Sequence, residues 1–136
     1  MGYCYRYVTI EGKGVKPESY ALFDPSSPLN ALSDEFAKAA KLSYLGSAKA
    51  KTPLGNGIGW RTKAPVAFNR TDVKLAEVEF VVLPKRLLED DVIFGKSVIE
   101  AVGEEKFLAI RYKCDMCREA LGGCEHARRK VEPIGT

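Results

Sequence analysis

A carboxylate at the end of an apolar run is costly unless something stabilises it, so such a residue is a candidate for chemistry. Tyr20-Ala21-Leu22-Phe23 is a run of this kind, and Asp24 ends it. The plainer reading of Asp24 is a turn starter, because Asp before Pro often begins a turn and Pro25 follows. A second constellation lies further along the chain, where Cys114-x2-Cys117-x6-Cys124-x-His126 offers three thiolates and one imidazole. These are preferred ligands for tetrahedral structural zinc. A Cys-x2-Cys turn aims both sulfurs at one ion, and Gly122-Gly123 lets the chain curl back to present Cys124 and His126. A disulfide or an iron–sulfur site are the alternatives. With four protein ligands, a zinc site here is closed and structural. Cys4 stands apart and reads as a small core residue. His126 has no candidate nucleophile near it in sequence, so it is not read as a catalytic base.

The elements that must position these residues are mostly strands. Tyr3 to Ile10 is aromatic and β-branched, and Glu11-Gly12-Lys13-Gly14 turns the chain. Ser19 to Phe23 has no polar alternation, which predicts a strand buried on both faces. Two prolines within Asp24-Pro25-Ser26-Ser27-Pro28 stop it. Ser33 is placed to cap a short helix running to Leu42, with Asp34 and Glu35 in its first turn. Lys49 to Trp60, rich in glycine, reads as a mobile hairpin, and strand character resumes over Ala64 to Phe68. Val73 to Leu83 predicts a long strand and Pro84 to Asp91 a charged loop. Val92-Ile93-Phe94-Gly95 predicts a short buried strand, Lys96 to Val102 one or two helical turns capped by Gly103, and Phe107 to Tyr112 a last strand. The pattern of buried strand, sharp loop and short helix thus occurs twice.

This order resembles one subunit of a retropepsin-like aspartic peptidase, the retroviral-protease type. In that family a buried strand ends in Asp-Thr/Ser-Gly-Ala/Ser. A segment like that from Asn30 to Lys38 follows, then a glycine-containing flap like Thr52-Pro53-Leu54-Gly55-Asn56-Gly57, then a closing element like Asp91-Val92-Ile93-Phe94-Gly95 and a short helix. The likeness runs from about Val8 to Gly103. It implies a mainly β, acid-protease barrel over residues 1–110, with two short helices, that works as a homodimer. Residues 111–136 then form the C-terminal Cys/His zinc-binding tail. By the resemblance, Asp24 is the catalytic residue of each subunit, and Ser26, Ser27, Gly55, Asn56 and Gly57 contact a peptide or protein substrate. Two facing carboxylates share one proton and activate a water, one as base and one as acid. The sequence departs from the family at Pro25, where Thr or Ser stands, and at Ser26, where Gly stands. The implied function is therefore an aspartic peptidase or a catalytically weakened descendant of one. The Cys/His segment is similar to a SWIM-type zinc finger, although that family's first cysteine pair encloses one residue rather than two.

The alternative is a non-enzymatic dimeric module that binds peptide or nucleic acid. The net charge of +3 is too balanced to demand nucleic acid, and Arg128-Arg129-Lys130 is the only sharp basic run, of the kind usually found on solvated surface. A chain of 136 residues, 46% hydrophobic, fills one core, and no window reaches the length of a membrane helix. The N-terminus lacks a signal peptide's pattern, so the expected location is the cytoplasm. The zinc reading is checked by metal analysis of the purified chain. About one zinc per chain is expected, and Cys117→Ser should abolish stoichiometric retention; metal-free protein with these thiols oxidised would favour the disulfide.

Overall fold

The computed structural model describes residues 4–103 and 130–134. Within them the chain is mainly β. Its strands are β1 (Cys4–Ile10), β2 (Glu18–Phe23), β3 (Ala31–Ser33), β4 (Ser47–Thr52), β5 (Gly55–Phe68), β6 (Lys74–Leu83), β7 (Val92–Phe94) and β8 (Glu132–Pro133). Its helices are α1 (Asp34–Ala39), α2 (Lys85–Leu88) and α3 (Lys96–Val102). The neighbours run β1-β2-β7-β3-β6-β5, and β5 pairs back onto β1, which closes a six-stranded barrel. Closure removes free strand edges. The β4–β5 hairpin extends beyond the barrel, and β8 lies along the outer edge of β4.

The site is positioned by the crossing of β7 between two strands that are themselves consecutive in the chain. β7 runs parallel to β2, with Phe23 opposite Phe94, and antiparallel to β3, with Leu32 opposite Val92. β3 in turn runs parallel to β6. The loop from Asp24 to Asn30 therefore has to step over the end of β7. All three residues of β7 are fully buried, consistent with the uninterrupted apolar run at 92–94. β2 is buried only over Ala21, Leu22 and Phe23; its first half is open and Tyr20 is exposed, so the expected two-faced burial of the whole run holds only where β7 covers it.

Phe94 is the centre of the core. Its ring lies 5.4 Å from that of Phe23, 5.7 Å from Phe68 and 6.0 Å from Phe80, all in tilted arrangements. Phe94 thus ties four barrel strands together through one side chain.

Several elements differ from the sequence expectation. β3 is an addition just ahead of the expected helix, and α2 forms within the stretch expected as a charged loop. β5 is one strand of 14 residues, running through the region where a hairpin arm and a separate strand were expected. The glycines in it are not turn formers alone. Gly57 and Gly59 face inward, where a Cβ at Gly57 would meet a Leu87 methyl group and one at Gly59 would overlap the Val82 carbonyl. They let the hairpin lie flat on α2 and β6. The Ser33 cap is as expected: its Oγ accepts the Phe36 N–H at 3.1 Å. The expected strand at Phe107–Tyr112 and the 110/111 boundary lie outside the described residues. No described helix is long and apolar enough to cross a membrane.

Gly95, directly after β7, sits where a Cβ would overlap the carbonyl oxygens of Ser27 and Leu29. Its φ of −105° is ordinary, so the constraint is space and not backbone strain. Gly95→Ala should therefore cost at least about 3 kcal/mol, because the obstacle is backbone. Gly57→Ala should cost about 1.5 kcal/mol or less, because a leucine methyl group can swing away. Urea denaturation of the two variants checks the contrast.

Candidate functional site

The Asp24 loop is built from the crossing outward. The Asp24 N–H donates to the Phe94 carbonyl at 2.9 Å, which continues the β2–β7 ladder by one residue. The Ser27 N–H donates to the Asp24 carbonyl at 3.0 Å and closes a turn around Pro25 and Ser26. The Lys96 N–H donates to the Ser27 carbonyl at 2.8 Å, so the start of α3 grips the far side of the same turn. Asn30 braces the exit. Its Oδ1 accepts the Gly95 N–H at 2.7 Å, and its Nδ2 donates to the Glu79 carbonyl at 3.0 Å and the Ser97 hydroxyl at 2.8 Å. One buried amide thus links the loop to β6, to the end of β7 and to α3. The sequence signal was present, a lone Asn among apolar residues ahead of β3, but its partners lie 49 to 67 positions away.

Asp24 itself is fully buried. Its Oδ1 accepts the Ser26 N–H at 2.9 Å and the Ser26 Oγ–H at 2.6 Å. Ser26 is exposed, so its side chain stands on the open side of the turn and folds back onto the carboxylate. The Ser26 side chain is accommodated in the turn, and its hydroxyl adds a second hydrogen bond to the same carboxyl oxygen. Pro25, with no hydroxyl, brings no donor of its own.

Ser27 performs a different task. It is fully buried, and its hydroxyl lies 2.7 Å from the Leu29 carbonyl and 3.2 Å from the Val131 carbonyl, both acceptors. The same oxygen accepts the Val131 N–H at 3.0 Å, and the Leu29 N–H donates to the Val131 carbonyl at 3.2 Å. The segment 130–134 is thus bonded along one edge to the Asp24 loop. Along its other edge Glu132 and Pro133 pair with Lys51 and Ala50 of β4.

Of the site residues expected from sequence, the structure gathers Asp24, Ser26 and Ser27 into one turn. Gly55, Asn56 and Gly57 stand apart from it on the hairpin, above α2. Asn56 and Gly57 border a cleft with Lys49, Pro84, Arg86 and Ile134. What spans the interval between hairpin and loop is the segment 130–134. Cys114, Cys117, Cys124 and His126 lie outside the described residues.

A polar cluster flanks the opposite end of β7. Asp91 Oδ1 accepts from Ser33 Oγ at 2.6 Å and pairs with Lys85 Nζ at 2.6 Å, while the Lys85 N–H donates to Asp34 Oδ1 at 3.1 Å. Ser33 thereby caps α1 and holds Asp91 with the same hydroxyl.

No protein-family model matches the chain, and no curated protein is significantly similar to it.

Partial burial pushes the Asp91 carboxyl up, but the Lys85 and Ser33 hydrogen bonds and the Lys85 charge outweigh it and hold the group below its ordinary value of 3.8. The unfolded chain binds that proton more readily, so the pair's stabilisation is complete above 3.8 and fades as pH falls towards the depressed folded value. Asp91 is about a third exposed, which limits the contribution to less than about 1 kcal/mol. Lys85→Met should be slightly less stable than the natural chain at pH 7, and the gap should narrow as pH falls below 3.8. Chemical denaturation across that range measures it.

Proposed function

We propose that this chain is one subunit of a retropepsin-like homodimer that takes an extended peptide, with Asp24 as the carboxylate each subunit contributes. The observation that carries the reading is the placement of Asp24. It ends a barrel strand, in a turn held between the crossing strand β7 and the helix that follows it. A turn fixed by three backbone hydrogen bonds is the kind of rigid support a reacting carboxylate requires. Chemically, two such carboxylates would hold a water between them. One would accept its proton as the oxygen attacks a peptide carbonyl, and the other would protonate the carbonyl oxygen. Collapse of the resulting diol, with a proton passed to the leaving nitrogen, yields a carboxylic acid and an amine.

A second reading is peptide binding without cleavage. It is favoured by the enclosure of Asp24 within a single subunit and by the Ser26 hydroxyl on its Oδ1. Facing a twin carboxylate would require this turn to open towards the partner. The Cys114, Cys117, Cys124 and His126 set is proposed as a structural zinc site on ligand type and spacing. Nucleic-acid binding rests on Arg128, Arg129 and Lys130 alone and is the weaker form of the second reading.

Cleavage of a peptide library at acidic and neutral pH, by the natural chain and by Asp24→Asn, separates the two. The peptidase reading expects cleavage that falls at least about 1,000-fold in the variant. Peptide binding by both proteins, with cleavage by neither, supports the binding module.

A further inference from the structure

The segment 130–134 is held as a bound peptide strand is held. Successive residues of a strand direct their backbone groups to opposite edges. Here Val131 presents its N–H and C=O to Ser27 and Leu29, while on the other edge the strand pairs with β4, Glu132 opposite Lys51 and Pro133 opposite Ala50. Both edges are therefore used, one by the loop that carries Asp24 and the other by the hairpin. Val131 supplies the side-chain anchor. It is fully buried in a cluster with Ala31, Ala50, Leu83, Leu88 and Ile93. That cluster is separate from the main barrel core, which holds Phe23, Phe68, Phe80 and Phe94. β8 is also slight: two residue pairs join it to β4, against six between β1 and β2. Leaving its groove would empty one small pocket and leave the barrel core and ring of strands intact.

We propose that the groove between β4 and the loop at Ser27–Leu29 is a strand-addition site, and that residues 130–134 are its built-in occupant, which an incoming peptide of like pattern must displace. The proposal rests on the reading that this site takes an extended peptide, but not on whether Asp24 cleaves it. The occupant specifies the ligand. The peptide lies antiparallel to β4 and places a valine-sized aliphatic side chain in the Ala31–Ala50–Leu83–Leu88–Ile93 pocket. Lys51 stands opposite Glu132, and Lys49 and Arg86 line the cleft beyond, so the residues after the anchor are preferably acidic. A tethered occupant competes at an effective concentration on the order of millimolar, which weakens a micromolar peptide by about 100-fold or more. The segment therefore acts as an internal inhibitor that passes only peptides able to out-compete it.

Two measurements on the full chain test this. Native-state hydrogen exchange should find the Val131 amide exchanging at least about 100-fold faster than those of Leu22 and Val82, through an opening that leaves the barrel folded. Equal rates would make β8 a permanent core strand and overturn the proposal. Fluorescence polarisation with a labelled synthetic peptide of residues 130–136 should find binding to full-length Val131→Asp at least about 10-fold tighter than to the natural chain. The same peptide carrying Asp at the valine position should not bind. Equal affinity for both proteins, or none for a folded Val131→Asp, would also overturn it. If Val131→Asp does not fold, the exchange rates of the natural chain decide. Neither readout involves Asp24, so a failure here and a failure of the cleavage assay are distinguishable.

Discussion

The structure depends on one close passage of backbone past backbone. β7 runs between β2 and β3, and the chain leaves it at Gly95 in contact with the carbonyls of Ser27 and Leu29. Everything near Asp24 follows from that contact. The Phe94 carbonyl fixes the Asp24 amide, the Gly95 amide fixes Asn30, and the Lys96 amide fixes Ser27. Three consecutive residues of one segment thus set the entrance, middle and exit of the loop. The hydrogen bonds are individually modest, about 1 kcal/mol each net. Their force lies in arising from one rigid strand whose Phe94 ring is locked among Phe23, Phe68 and Phe80.

How legible this was in the sequence depends on how local each cause is. The apolar runs ending at Phe23 and Phe94 announced buried strands, and the Ser33 cap announced a helix, because those signals are complete within a few residues. β3 was not legible: three residues carry no period, and they become a strand only because β6 and β7 supply partners on both sides. α2 was hidden by its charges, since Lys85 and Arg86 obscure the two buried leucines beside them. The glycines of β5 were misleading in a definite way. Glycine usually signals a turn, but Gly57 and Gly59 serve close packing, a reason that lies in Leu87 and Val82, 23 or more positions away. The least legible feature was Val131. One aliphatic residue beside a basic run reads as surface, and only the Ser27 loop and β4 make it a core residue.

The candidate site shows the same division. That Asp24 closes a strand was readable. That Ser26 would fold back onto it was not, because a serine in a turn can bond locally in several ways and the choice depends on which oxygen the fold leaves within reach. The adjacent serines, alike in sequence, are divided by the turn between two partners. Ser26 faces outward and takes the carboxylate; Ser27 faces inward and takes the backbone of Val131.

That division links the groove to the carboxylate. The residue that bonds a strand in the groove is Ser27, and the Ser27 amide is the one that closes the turn on the Asp24 carbonyl. A strand docked at Ser27 and Leu29 therefore bears on the Asp24 turn through one residue, Ser27, by a different group of that residue. An empty groove would remove Val131 from the Ser27 hydroxyl and the Leu29 amide, and would uncover the apolar pocket that its side chain fills. The loop is thus most stable when some strand lies against it, and residues 130–134 meet that need within the chain. Selection for an occupied groove and selection for an ordered Asp24 turn therefore meet at Ser27, whose hydroxyl serves the first and whose amide serves the second.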